Sequence, residues 1–258
     1  MAEDLFREIV RVRESGLPAA LATIVDVRGS TPGKLGQRML VYPDGRILGT
    51  VGGGCLEADV IRTGREIMDT GGLRKMRFTL AGPEAERTGL ACGGTLEIMI
   101  ESLRESRLFV VGAGHVGRRI ALLARATGFN VTLFDDRPDF ADAKALPDLD
   151  RVVCAELDRV GEALDPNAAD FLISVTRGHD HDYEILRWAL GTPLRFIGVV
   201  GSRSKRIQFF RDLEAEGIAP TEFERVQCPV GLDIGAQNPE EIAVSVVAEL
   251  VRRRRLGP

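Results

Sequence analysis

Leu108-Phe109-Val110-Val111-Gly112-Ala113-Gly114-His115-Val116-Gly117 decides the fold of the second half of this 258-residue chain. Four apolar residues in succession read as a strand buried on both faces, and the apolar spacing after Gly117 predicts a helix over 116–127. Between them stands G-x-G-x-x-G. In a strand–turn–helix setting the first glycine permits a tight turn, the second lets backbone approach a pyrophosphate, and the third lets helix and strand pack closely. Asp135 and Asp136 end the next apolar segment, 130–134, about 20 residues on, where a carboxylate can accept a bond from a ribose hydroxyl. The alternative is a Rossmann domain that keeps its glycines for packing and has lost its ligand, since fold does not establish binding.

Working outward from that stretch, further strands are expected at 151–154, 171–175 and 195–200, with helical stretches between most of them. This alternation specifies a doubly wound parallel sheet. The last helix is the best marked in the chain: Asn238 can cap it, Pro239 suits its first position, and Glu240-Glu241 oppose its dipole. Ile242, Val246, Val247 and Leu250 supply its inward stripe.

Toward the N-terminus the pattern is different. Leu5, Phe6, Ile9 and Val10 recur at helical spacing until Gly16-Leu17-Pro18. A strand over 19–27 leads to the Gly29-Ser30-Thr31-Pro32-Gly33 loop, and strands over 39–42 and 46–50 flank a Pro43-Asp44-Gly45 turn. A helix over 56–68 ends at Gly71-Gly72, and strands over 74–80 and 95–101 enclose a polar loop ending in Cys92-Gly93-Gly94. The fold class expected is α/β, a C-terminal Rossmann-like doubly wound sheet preceded by a smaller α+β domain. The short polar joint at Leu103 to Ser106 puts the domains at 1–104 and 105–258.

Composition narrows the function classes. With 44% hydrophobic and 28% charged residues the chain is an ordinary globular one, and a net charge of −4 leaves no basic stripe for nucleic acid apart from Arg252 to Arg255. No run of about 18 apolar residues or signal-type segment is present, which predicts a cytoplasmic protein without a membrane span. Four cysteines without C-x-x-C spacing point away from structural zinc and from disulfides.

Several places could carry chemistry. Gly52-Gly53-Gly54-Cys55 opens a helix, so its backbone N–H groups suit an anion, and a thiol there suits sulfur transfer, nucleophilic attack or ligation of a soft metal. A small buried cysteine in a tight turn is the plainer reading. Cys92, before Gly93, is a similar case, and a site shared by the two turns is attractive, although spacing does not establish proximity. Cys154 and Cys228 are assigned to packing. Arg28, Lys34, Gln37 and Arg38 surround the Gly29–Gly33 loop and could grip a polar ligand or simply be solvated. His179, Asp180, His181 and Asp182 fall at the carboxyl edge of the sheet, where Asp182 can cap a helix over 183–190. Gly201-Ser202-Arg203 occupies the same edge and offers a hydroxyl, a cation and a helix start to an anion, or is only a capped helix. No catalytic residue is evident, and no metal ligand set is assigned.

Taken in order, Leu21-Ala22-Thr23, Gly29 to Pro32, Gly52 to Ala58, Cys92 to Gly94, Gly112 to Gly117, Gly198 to Arg203, Gly231 to Gly235 and Pro239 to Ala243 resemble the xanthine dehydrogenase accessory protein family of the XdhC/CoxI type, over essentially the whole chain. The resemblance implies a cytoplasmic, dimeric factor that binds molybdenum cofactor (molybdopterin), protects it during sulfuration by a cysteine desulfurase, and delivers it to a xanthine dehydrogenase-type molybdoenzyme. Where Ser-Gly-Gly-Cys is common in that family this chain has Gly52 to Cys55, which removes a hydroxyl and leaves the backbone and thiol. The competing reading is an NAD(P)-dependent oxidoreductase using Gly112, Gly114, His115, Gly117 and Asp135 or Asp136, with His115, His179, His181, Tyr42 or Tyr183 as proton donor. A third is an interaction scaffold with both sites degenerate.

Overall fold

The computed structural model describes residues 2–15, 17–80, 93–103 and 106–256, except the side chains of 2, 3, 14, 15, 69 and 70. Its contacts divide the chain into two units, 1–105 and 106–258. The elements below are numbered among the described residues.

In the N-terminal unit, α1 (Ala2–Ser15) is followed by β1 (Ala20–Arg28), β2 (Arg38–Val41), β3 (Ile47–Gly49), α2 (Gly54–Thr70), β4 (Leu73–Thr79) and β5 (Thr95–Ser102). The five strands form one antiparallel sheet in the order β3-β2-β1-β5-β4. Ala20, Ala22 and Ile24 alternate along β1 toward one face, where Leu56, Val60, Ile67 and Met68 of α2 bury against them. Leu5 and Val12 of α1 are buried with Ala19 and Leu40, with Ile9 packed alongside. Phe6 and Val10 are exposed. The inward stripe is thus Leu5, Ile9 and Val12, at i, i+4 and i+7, which corrects the expectation that Phe6 and Val10 belong to it.

In the C-terminal unit the elements are β6 (Arg107–Val111), α3 (His115–Ala126), β7 (Asn130–Asp135), β8 (Arg151–Cys154), α4 (Val160–Ala163), β9 (Phe171–Ser174), α5 (His179–Leu190), β10 (Phe196–Val199), α6 (Arg203–Ala215), β11 (Val226–Gln227) and α7 (Pro239–Leu256). All six strands run parallel in the order β11-β10-β9-β6-β7-β8. Numbered within the unit this is 6-5-4-1-2-3, the order of dinucleotide-binding sheets, with the switch point between β6 and β9. Strand residues feed two cores in alternation. Leu108, Val110, Leu133 and Ile173 face α3 and α7, and Phe109, Val111, Phe134 and Leu172 face α5 and α6. Full burial of each such side chain contributes about 1.5–3 kcal/mol, which is why the strands read as unbroken apolar runs. Asn238 caps α7 as expected, its Oδ1 accepting the Glu241 N–H at 2.9 Å.

Register fixes what meets at the carboxyl edge. Val111 pairs with Phe134 and with Ser174, and Ser174 pairs with Val199. The next residues, Gly112, Asp135, Val175 and Val200, therefore emerge in one row.

Candidate functional site

Three loops meet at one end of the N-terminal sheet. Arg28, the last residue of β1, is paired with Thr95, the first of β5, so the 29–33 loop runs beside Gly93-Gly94. A Cβ at Gly29 would stand 3.2 Å from Gly94 Cα, and one at Gly94 2.6 Å from the Arg28 carbonyl oxygen. On its other flank the loop abuts the segment leading into α2. A Cβ at Gly33 would stand 2.6 Å from the Val51 carbonyl oxygen, and one at Gly52 3.1 Å from Pro32 Cγ.

Gly52, Gly53 and Gly54 have φ of +132°, +84° and +66°, a left-handed run that side chains would strain. Glu57 secures the approach: its Oε1 accepts Thr50 Oγ1–H at 2.5 Å and the Val51 N–H at 3.1 Å, while Thr50 Oγ1 accepts the Gly52 N–H at 3.2 Å. α2 then starts from Gly53 with no side-chain cap. Cys55 is exposed in its first turn. Uncapped N–H groups beside an exposed thiol can take an anion and present sulfur to it. Cys92 lies outside the described residues, whereas Gly93 is exposed next to Gly94, on the far side of the 29–33 loop from Gly52. Around that loop Arg28 pairs with Asp26 at 3.3 Å, the Arg38 guanidinium lies 5.3 Å above the Phe6 ring, and Gln37 Oε1 accepts the Lys34 N–H at 2.7 Å.

At the switch point of the parallel sheet, Gly112 (φ +113°) lies against the Val175 carbonyl and Gly117 against the Gly112 carbonyl, so closely that a Cβ on either would overlap those oxygens. Packing accounts for both glycines. Gly114 is different: it has φ −66° and nothing within 4 Å of where a Cβ would stand. Its missing side chain leaves room for a ligand rather than for the protein. His115, the first residue of α3, is exposed.

The two acids after β7 are both engaged. Asp135, 2% exposed, accepts the Ala113 N–H at 2.6 Å and three bonds from Arg137, through its main-chain N–H, Nε and Nη2, at 2.8–3.0 Å. Burial alone would push its carboxyl pKa up. The hydrogen bonds from the Arg137 side chain and the Ala113 and Arg137 amides, with the charge of Arg137, outweigh burial and hold it below the usual carboxylate value. Asp135 thus turns inward to fasten the glycine turn. Asp136 meets Arg177 in a two-point pair, with distances of 2.7 and 2.6 Å, and the space around both pairs is a crevice of about 10 Å³. Arg177 follows β9 and so spans β6 to reach the end of β7.

On the other half of the edge, Asp182 is not a helix cap, which corrects the expectation from sequence. α5 begins at His179 from Gly178, and Asp182 is buried within its first turn. Its Oδ1 accepts Ser174 Oγ–H at 2.6 Å, Thr176 Oγ1–H at 2.8 Å and the Thr176 N–H at 3.1 Å, and its Oδ2 accepts from Lys205 Nζ. The cluster ties the loops after β9 and β10 together. His179 packs its ring 4.6 Å from that of Phe209, and His181 lies 4.0 Å from Glu184. Among the described residues no group of three or more His, Cys, Asp or Glu is placed to hold a metal ion.

Ser202 caps α6, its Oγ accepting the Lys205 N–H at 3.2 Å, while Gly201 and Arg203 line a cavity of about 1170 Å³ bounded by α6 and the 228–236 segment. Cys228 is buried at its wall, and burial pushes its thiol pKa up. Cys154, by contrast, is exposed at the end of edge strand β8, which corrects its assignment to packing. The residues missed by sequence reasoning are Arg137, Arg177, Arg206 and Phe210. For two of the arginines a signal is present, because Arg137 and Arg177 closely follow strands whose carboxyl ends the sequence marks.

The XdhC and CoxI family model matches residues 12–79, and the XdhC Rossmann domain model matches residues 108–250. The chain belongs to the XdhC and CoxI family. Among relatives in this family, the Escherichia coli protein YqeB is 35% identical over 99% of this chain, which spans about half (47%) of YqeB. A Bacillus subtilis protein named as a probable xanthine dehydrogenase subunit is 25% identical, with 92% of this chain and 93% of that protein covered. The molybdenum cofactor insertion chaperone PaoD of Escherichia coli is 25% identical, with 97% and 88% covered. Among the described residues no helix is long and apolar enough to cross a membrane.

Proposed function

We propose that this chain is a cytoplasmic accessory factor that binds molybdenum cofactor, supports its sulfuration and delivers it to a xanthine dehydrogenase-type molybdoenzyme. The observation that carries this reading is the exposed Cys55 at an uncapped helix start, in a glycine run that packs against one flank of the 29–33 loop, whose other flank packs against Gly94. A pterin with an anionic phosphate and a metal-bound dithiolene asks for backbone donors and a soft ligand together, and this end of the N-terminal unit offers both. Gly52, Gly53, Gly54 and Cys55 would hold the cargo, and Cys92 and Gly93 are proposed as further cargo-binding residues. Family membership and the likeness to PaoD support the maturation role. A cysteine desulfurase as sulfur source, a homodimer, and domains of 1–104 and 105–258 complete the proposal.

The nicotinamide-enzyme reading draws on the open space at Gly114 and on the exposed His115 beside it. Of its candidate donors, Tyr42 and Tyr183 donate to Glu8 and Glu216 at 2.8 and 2.9 Å and His179 is packed on Phe209, which leaves His115 and His181. A nucleotide, NAD(P) or another, would meet the Asp136–Arg177 pair beside Gly112.

Binding of purified molybdenum cofactor to the full chain under anaerobic conditions tests the proposal. Saturable binding that Cys55→Ala weakens about tenfold or more is expected. A folded wild-type protein that leaves the cofactor free sinks it.

A further inference from the structure

Outside both glycine motifs, a cavity of about 1170 Å³ opens between α6 and the 228–236 segment. Its size is that of a site for a sizeable small molecule, and it lies at the carboxyl ends of β10 and β11, the edge where open α/β sheets bind ligands. Two features of its lining are unexplained by the fold. Arg203 and Arg206 have no carboxylate within salt-bridge distance among the described residues, although Glu214 and Asp233 also line the cavity. Ile207 and Ile234, both of which line it, are 71% and 52% exposed, so two large aliphatic side chains stand open at one cavity.

The cations and apolar surface sit on an ordered platform. Phe210 stacks on Phe223 with ring centroids 4.3 Å apart and planes 16° from parallel, and the Arg206 guanidinium lies 5.0 Å above the Phe210 ring. Stacking fixes the guanidinium face and leaves its N–H edge for an anion. We propose that this cavity is a second ligand site, separate from the Gly52–Cys55 loop, that takes a planar heterocycle bearing a phosphate. The phosphate meets the N–H groups of Arg203 and Arg206, and the ring lies against Ile207 and Ile234. Two sources share that chemistry, a nucleoside monophosphate and a phosphorylated pterin. The site does not depend on the chaperone proposal.

The experiment is a titration of the full chain, carrying methyl-labelled isoleucine, with GMP, AMP and, anaerobically, molybdopterin, followed by NMR and calorimetry. At least one probe is expected to bind with shifts at the Ile207 and Ile234 methyls. Arg203→Ala/Arg206→Ala is expected to weaken it by at least tenfold, as for loss of charge-assisted hydrogen bonds. Both arginines are exposed, so the variant keeps its fold, and Ile207→Asp provides an independent block. Binding by a nucleotide identifies the first source, and binding by molybdopterin alone the second. If no probe binds, or if binding survives both variants, the site is refuted. Cys55→Ala separates the two proposals, since it weakens cargo binding at the N-terminal loops and leaves the isoleucine shifts unchanged.

Discussion

Replacing Asp182 by alanine removes an acceptor from four donors at once: Ser174 Oγ, Thr176 N–H, Thr176 Oγ1 and Lys205 Nζ. The Lys205 side chain is 14% exposed and would keep only the Val200 carbonyl, at 3.3 Å. Leaving one partner of a buried pair uncompensated costs about 3–5 kcal/mol. Each orphaned neutral donor adds about 1–3 kcal/mol where water does not reach it, and the space vacated by the carboxylate admits water, so about 4 kcal/mol is expected in all. For a chain of this size that lowers Tm by about 8–16 °C. Asp182→Asn keeps the shape and one acceptor and should cost about half as much. Lys205→Met removes the stranded charge, so Asp182→Ala in that background should lose about 2 kcal/mol less than in the wild type. Denaturant titration of the four proteins measures the coupling. A cost below about 1 kcal/mol, or the same cost in both backgrounds, refutes the role of this pair in holding the loops after β9 and β10.

Other outcomes follow from single residues. Alkylation by iodoacetamide, read by mass spectrometry, should label Cys55 and Cys154 well before Cys228, which is buried and whose thiol is pushed up by burial; early labelling of Cys228 would contradict its placement. Because the Asp135 carboxyl is depressed in the fold, its stabilisation is fully present above the unfolded value and is lost as pH falls from about 4 through the folded value. Asp135→Asn should therefore flatten the acid limb of stability in that window, and an unchanged acid limb would count against the link. Gly117→Ala should destabilise strongly, since its Cβ would overlap the Gly112 carbonyl, whereas Gly114→Ala should fold as wild type and alter only ligand binding; thermal melts distinguish them.

Much of the parallel sheet was legible because its strands are short unbroken apolar runs and each ends at a change of residue type: Val111 before Gly112, Phe134 before Asp135-Asp136. Asn238-Pro239-Glu240 marked α7 through local chemistry alone. What escaped depended on partners distant in sequence. Asp182 looked like a cap because it precedes an apolar helical stripe, but Lys205, 23 residues on, draws it inward and the helix starts at His179, four residues before the expected Tyr183. Asp136 and Arg177 are 41 residues apart and meet only because β9 lies beside β6. Phe6 shared the spacing of Leu5, and only the sheet decided which of the two turned in. Proximity of Gly33 to Val51 and of Gly29 to Gly94 likewise comes from the pairing of β1 with β5 and the path into α2, which spacing alone does not specify.

The most direct test is transfer: cofactor-free xanthine dehydrogenase-type enzyme is mixed anaerobically with this protein preloaded with sulfurated molybdenum cofactor, and enzyme activity is followed against an equal amount of free cofactor. Faster and fuller activation from the preloaded protein is predicted, lost with Cys55→Ala. Activation no better than from free cofactor would contradict the proposed role in delivery.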